Sequence, residues 1–255
     1  MAEKKEHKIV SASSGENVAA GSLKPNMVHA KPVGNAAGLR AGAIILWVVA
    51  LAFEVLALMV VLGKINLKFM PSLWQIIIFL VLDLACVIIG SQLWKKANHI
   101  KPASEKNKTL FWIWNNLGVI VAVFAFLPLI IIMLSNKNLD KKTKVICVVA
   151  AVIALLIGGA ASIDYNPVSQ EQQEAAMSTL GATDVYWTPY GHVYHTHVDE
   201  DADDYCPYLN QSDSLTRGTV EQAIAANRTR LCSWCARHDA IEGVATDDVD
   251  PNVGE

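Results

Sequence analysis

Residues 41–63 read AGAIILWVVALAFEVLALMVVLG, a run in which only Glu54 breaks an otherwise apolar or small-residue stretch. A helix rises about 1.5 Å per residue, so about 20 such residues cross a hydrocarbon core of about 30 Å. Three further stretches read the same way: Ser72 to Trp94, Leu110 to Leu134 and Lys144 to Ser162. A soluble core can bury one such helix, but four in 255 residues leave too little polar surface to cover them. A 53% hydrophobic fraction fits a polytopic membrane protein better than a soluble one. The first stretch starts forty residues in without a cleavage-type sequence, and so reads as a span rather than a signal peptide.

Lys and Arg are retained on the cytoplasmic side of membrane proteins. The segment before Ala41 carries six and the loop between the second and third spans five. The first loop holds Lys64 and Lys68, and the third holds Lys137, Lys141, Lys142 and Lys144. The region after Ser162 has four Arg against seventeen Asp and Glu. Four spans put both ends on one side, which then collects 15 basic residues against 6. The expected location is the cell membrane, multi-pass, with both termini cytoplasmic.

Residues 1–40 are rich in Ser, Gly, Asn, Ala and Pro without apolar periodicity, and read as a disordered cytoplasmic tail. Residues 41–162 form the four-helix transmembrane domain. Residues 163–183 read as a linker or stalk in which Gln170 to Leu180 makes one short helix. Residues 184–238 form a compact module, and residues 239–255 an acidic disordered tail. Within the module, Val185-Tyr186-Trp187 and His192-Val193-Tyr194-His195 flank Thr188-Pro189-Tyr190-Gly191, the pattern of a β-hairpin. Thr219 to Ala226 reads as a two-turn helix with Thr219 and Gln222 at capping-box spacing and Asn227 placed for a left-handed C-terminal residue.

A segment of about 55 residues buries little apolar surface, and such modules usually depend on a disulfide or a metal. Its three thiols, Cys206, Cys232 and Cys235, would leave a disulfide framework unbalanced. A tetrahedral zinc site wants four thiolate or imidazole ligands, commonly with one pair on a C-x-x-C turn. Cys232 and Cys235 supply that turn, Cys206 the third ligand, and a hairpin histidine the fourth. His195 is the first choice. His197, two residues on and therefore on the same face of an extended strand, is the alternative. Two other readings stay open. A thioredoxin-like redox pair needs a βαβ context with the motif at a helix start, whereas here it follows a helix. A disulfide would require the oxidising side of the membrane.

The succession Tyr194-His195, Cys206, a short helix with Glu221 and Ala223, then Cys232-x-x-Cys235 resembles the small metal-binding module of the bacterial adaptive-response DNA methyl-acceptor protein. It is also similar to short C-terminal modules of many bacterial membrane and surface proteins. The resemblance covers about 50 residues at the level of motif spacing. It implies one structural Zn2+ held by His195, Cys206, Cys232 and Cys235. This chain departs from the pattern in the acidic stretch Thr196 to Tyr205 between histidine and cysteine, and in carrying Asn227 where a Gly is usual. The methyl-acceptor's thiolate chemistry on a DNA phosphotriester is not carried over, because seventeen acids against four Arg repel a phosphate backbone. No nucleic-acid partner is expected.

The run Asp199 to Asp204 starts like a calcium loop, but has Asp204 in place of Gly at the sixth position and Asn210 in place of Glu at the twelfth. It reads as a solvated acidic loop, and His192 and His238 as solvent-facing residues. In the spans, Glu54 and Asp83 fall near mid-membrane, where a charged carboxylate costs at least about 2.5 kcal/mol. They either share a proton or cation, or are protonated and hydrogen-bonded within the bundle to Gln75, Asn115 or Asn116. Ala150, Ala154, Gly158 and Ser162 make a small-residue ladder suited to close helix packing within the bundle. Pro128 is expected to kink the third span, and Cys86 and Cys147 read as packing residues.

The expected architecture is an α-helical membrane protein of four transmembrane helices with a small α+β zinc-stabilised C-terminal module. The expected function is non-enzymatic, since the soluble parts show no acid/base pair, phosphate-binding Gly loop or activated nucleophile. The module would serve a structural or interaction role, with the lipid bilayer and a protein partner or second copy as its associates. The alternatives are a small transporter or ion-conducting oligomer built on Glu54 and Asp83, and a redox- or metal-responsive membrane sensor.

Overall fold

The computed structural model describes residues 7–18, 34–137, 139–181, 183–198 and 205–247. It separates into two units. One comprises Ala36–Ala97 and Lys108–Tyr165, and the other the described residues of Met1–Asn35, Asn98–Asn107 and Asn166–Glu255.

The first unit is helical: α1 (Ala36–Val61), α2 (Ser72–Ile100, its last turn in the second unit), α3 (Lys108–Asn115), α4 (Leu117–Ser135) and α5 (Lys141–Ser162). Of these α1, α2, α4 and α5 are long and apolar enough to cross a membrane, consistent with a multi-pass membrane protein. The packing has the inverted polarity that lipid favours. Ala43, Ala50, Ala122, Ala125 and Ala151 are fully buried, while Ile45, Val48, Phe124 and Leu156 are each more than 60% exposed. Small residues let helix backbones approach where burial of large apolar groups offers no advantage over lipid.

The third expected span is interrupted at Asn116, between α3 and α4. Asn115 and Asn116 each turn their side-chain amide back to a carbonyl four residues earlier, Phe111 O at 3.0 Å and Trp112 O at 2.9 Å. Such local bonds compete with the helical ladder. Pro128 lies inside α4, which continues through it to Ser135.

The small-residue ladder of α5 is used within the bundle. Ala154, Gly158 and Ser162 are buried, and a Cβ on Gly158 would sit 3.2 Å from Leu84 Cδ1 and 3.4 Å from Phe126. Ser162 Oγ lies 2.8 Å from Ser91 Oγ and 2.6 Å from Gly158 O. Gly118 closes the same contact, since a Cβ there would come within 2.5 Å of Ser91 Oγ and 2.9 Å of Ser91 Cβ. Gly118→Val is therefore expected to destabilise the bundle by about 1–3 kcal/mol through overpacking. Denaturation of the detergent-solubilised protein measures it, and an unchanged midpoint would show that α2 and α5 yield without cost.

The second unit is mixed. Its three-stranded sheet has the order β1 (Lys8–Ser11), β4 (Ser214–Gly218), β2 (Val185–Trp187), with β1 parallel and β2 antiparallel to β4. A two-stranded parallel sheet pairs β3 (Val193–Tyr194) with β5 (Arg230–Leu231). Helices α6 (Gln170–Leu180), α7 (Val220–Ala225) and α8 (Ser233–His238) complete it, with a 3-10 turn over Pro207–Gln211. Tyr194, Leu209, Leu215, Ile224 and Leu231 form the centre of one apolar core.

Four expectations change here. Residues 8–11, read as disordered tail, form the edge strand of the sheet. Ile9 is 3% exposed in the core, and Ala12 N–H donates to Arg217 O at 2.8 Å. The stretch read as a stalk is part of this unit: Val168, Ala176 and Leu180 pack in its core. Glu171 of α6 accepts hydrogen bonds from Ser104 and from Glu105 N–H, and Gln170 N–H donates to Ala103 O at 3.0 Å. Of the tail read as disordered, residues 239–247 belong to this unit: Val244 is buried, and Leu231 N–H donates to Ala245 O at 2.9 Å. Finally, the expected hairpin is reduced to one bridge, Tyr186 with His195, because β2 pairs with β4 instead and β3 with β5. The capped helices hold as expected. Thr219 and Gln222 form a capping box on α7, and Asn227 is left-handed with φ 66°.

Candidate metal centre

Strand pairing builds the centre. β3 and β5 lie in parallel register, Val193 with Arg230 and Tyr194 with Leu231, so the next residue on each, His195 and Cys232, arrives at the same end. Cys232 N–H donates to Tyr194 O at 2.9 Å, and His195 N–H to Tyr186 O at 2.7 Å. Cys232 is the N-cap of α8, and Cys235 follows in its first turn. Cys206 is the N-cap of the 3-10 turn. All four residues are buried, and their ligand atoms lie within 4.8 Å of one another.

The distances discriminate between the chemistries. Cys206 Sγ lies 3.9 Å from Cys232 Sγ, and His195 Nδ1 lies 3.3 Å from Cys206 Sγ and 3.9 Å from Cys235 Sγ. A disulfide needs about 2.05 Å between sulfurs, and all five cysteines are free. A tetrahedron with Zn–S bonds of about 2.3 Å and a Zn–N bond of about 2.0–2.1 Å has edges of about 3.8 Å between sulfurs and about 3.6 Å from sulfur to nitrogen. Three thiols and one imidazole at these separations can hold a metal ion.

Electrostatics agree with a thiolate at this point. Hydrogen bonds from Cys206 and Cys232 hold the Cys235 thiol well below its ordinary range against the opposing effect of burial, helped by backbone amides of Thr196 and His197. The same sulfur contacts push Cys206 up.

His197 is not in this group, because the chain bends at Thr196 and does not continue as a strand; His195 and His197 then diverge. That C-x-x-C follows a helix does not count against a redox pair, since the motif itself starts α8. The convergence of Cys206 and His195 on the pair is what distinguishes it from a two-thiol site.

His197 instead meets His238 and Asp239, a second group whose ligand atoms lie within 4.8 Å of one another. Thr196 Oγ1 donates to Asp239 Oδ2 at 3.0 Å, His197 Nε2 bonds Asp239 Oδ1, and His238 Nδ1 lies 3.4 Å from that oxygen. Partial burial works to raise the Asp239 pKa, but hydrogen bonds from His197, Thr196 and His238 outweigh it and hold the carboxyl below its ordinary range. His238 is exposed, as the sequence suggested, and it also stands beside Asp239, which the sequence reading passed over. The available signal was that His238 follows Cys235 by one helical turn. His192 pairs with Asn166 at 3.2 Å, and the acidic run 199–204 lies outside the described residues.

In the helical unit Glu54 is 5% exposed and Asp83 fully buried, with an electrostatic interaction between them. The suggested partners are engaged elsewhere. Gln75 uses its amide on Asn66, Leu67 and Met70 of the loop before α2, and Asn115 and Asn116 donate within their own helix turns. Both Asp83 carboxyl oxygens and Glu54 Oε1 have no hydrogen-bond partner among the described residues. Cys147 is buried between helices and Cys86 half-buried.

No protein-family model, curated protein or solved structure matches this chain.

Proposed function

We propose that this chain is a multi-pass protein of the cell membrane that carries a structural and interaction module held by one Zn2+, with no catalysis of its own. The observation that carries the reading is the buried convergence of His195, Cys206, Cys232 and Cys235. Three sulfurs and one imidazole with tetrahedral separations match the preferences of structural zinc, and a closed set of four protein ligands leaves no position for substrate. The resemblance to the small zinc modules of bacterial membrane proteins and of the methyl-acceptor protein points the same way and makes a bacterial source the expectation. An acidic module suits a protein partner or a second copy rather than nucleic acid.

Both termini are proposed to be cytoplasmic. Residues 8–11, 98–107 and the region after Asn166 belong to one hydrogen-bonded unit, and a bilayer cannot pass between strands of one sheet. These are the segments that the basic-residue count assigns to the cytoplasm. Metal analysis of the purified full chain tests the reading. One zinc per chain is expected, falling to none in Cys206→Ser, Cys232→Ser and Cys235→Ser; metal-free protein with an unchanged fold would overturn it.

A second reading rests on Asp83 and Glu54. Two buried carboxyls, of which both Asp83 oxygens and Glu54 Oε1 have no hydrogen-bond partner among the described residues, are costly unless they take up a proton or cation in operation. In reconstituted vesicles Asp83→Asn or Glu54→Gln is then expected to abolish proton or cation flux while the fold persists. Flux unchanged in both variants removes this role.

A further inference from the structure

We propose that His197, His238 and Asp239 form a second divalent-cation site, open to solvent and separate from the buried cysteine centre. The proposal rests on the zinc reading of that centre, because the same segments build both. His197 comes two residues after His195, and His238 and Asp239 end the helix that Cys232 begins. The helix is fixed to the centre through its backbone. Ala236 N–H donates to Cys232 O at 2.9 Å and Asp239 N–H to Cys235 O at 3.0 Å.

The donors are already oriented. Thr196 occupies Asp239 Oδ2, which turns Oδ1 towards both imidazoles. The Trp234 ring stacks on His238 at 4.9 Å between centroids and meets His197 edge-on at 5.9 Å, and the two imidazoles lie 4.6 Å apart. Two imidazoles and one carboxylate suit a late first-row divalent ion such as Zn2+ or Ni2+, whereas Ca2+ and Mg2+ prefer all-oxygen sites. Three protein ligands leave coordination positions to water, so this ion exchanges while the enclosed one does not. To ligate through Nε2, His197 gives up any proton there to solvent or by tautomer shift, and the ion takes its place beside Asp239.

The test uses tag-free full chain in detergent, loaded with one equivalent of Zn2+ and then dialysed against Ni2+. Total metal is expected to rise from one to two ions per chain without thiolate-to-nickel charge-transfer absorption. A fraction of the tryptophan emission is quenched, since one of the seven tryptophans stacks on the site. His238→Ala and His197→Gln should each weaken the second ion at least about tenfold while keeping the first zinc. If His197→Gln loses that zinc, His238→Ala alone decides. Stoichiometry that stays at one, or nickel bound equally by wild type and variants, overturns the proposal. A chain that takes up no zinc at the outset refutes the parent reading instead.

Discussion

Chelation of the purified chain is expected to unfold the region from β3 to α8 while leaving the four long helices in place. Structural zinc contributes about 10–16 kcal/mol of apparent free energy in small modules at neutral pH. Whole domains are stable by only about 5–15 kcal/mol, so loss of the ion removes the fold locally rather than loosening it. The contacts show why the effect spreads. The β3–β5 sheet is two residues long on each strand, and its open end is closed by His195 and Cys232 themselves. α8 has six residues and is capped by a ligand. Hydrogen exchange reads the outcome: amides of Tyr194, Leu231, Cys232 and Ala236 should lose protection together. Cys235→Ser should reproduce the effect without chelator, and acidification should do the same as protons compete with metal for thiolate and imidazole. Protection that survives exhaustive chelation would show that the apolar core around Tyr194 and Leu231 suffices alone.

The second large effect is expected at Asp184. Arg217 lies on β4, the central strand, with its side chain 5% exposed. Its Nε donates to Asp184 Oδ2 at 3.1 Å, Nη2 bonds the same oxygen, and the guanidinium stands 5.7 Å from the Tyr186 ring centroid. Removing one partner of a buried pair strands the other charge and costs about 3–5 kcal/mol. Asp184→Ala should therefore cost a substantial part of that, since it removes the carboxylate that Nε and Nη2 of Arg217 share. Arg217→Met should cost less, because Asp184 is 14% exposed and can rehydrate. The double variant Asp184→Leu with Arg217→Met should recover most of the loss, since apolar replacement of both partners is often neutral. Denaturant unfolding of the zinc-loaded chain compares the three. A double variant as unstable as Asp184→Ala would show that the pair acts through sheet geometry rather than charge.

The spans were readable because lipid imposes one requirement at every position, and it can be checked residue by residue. Ala41 to Gly63 lies within α1 and its end, and Lys144 to Ser162 within α5. Capping is equally local: Thr219 and Gln222 are three residues apart, and so are Ser169 and Gln172 of α6. Cys232 and Cys235 announced themselves by spacing. β1 gave no such sign, because Lys8-Ile-Val-Ser has one core residue, Ile9, and its partner Leu215 lies some two hundred residues on. His197 misled for a related reason. Assigning His195 and His197 to one face assumed a strand, and a single bend at Thr196 sent them to different groups.

From the order of residues alone, this chain is four apolar helices followed by an acidic region with a C-x-x-C turn, because periodicity, length and capping act over a few neighbours. Only the tertiary structure joined the N-terminal strand, the loop after α2 and the C-terminal region into one unit, and brought Cys206 and His195 to Cys232. Those choices depend on which distant strand offers free hydrogen bonds and an apolar face, and no short window of sequence contains both partners.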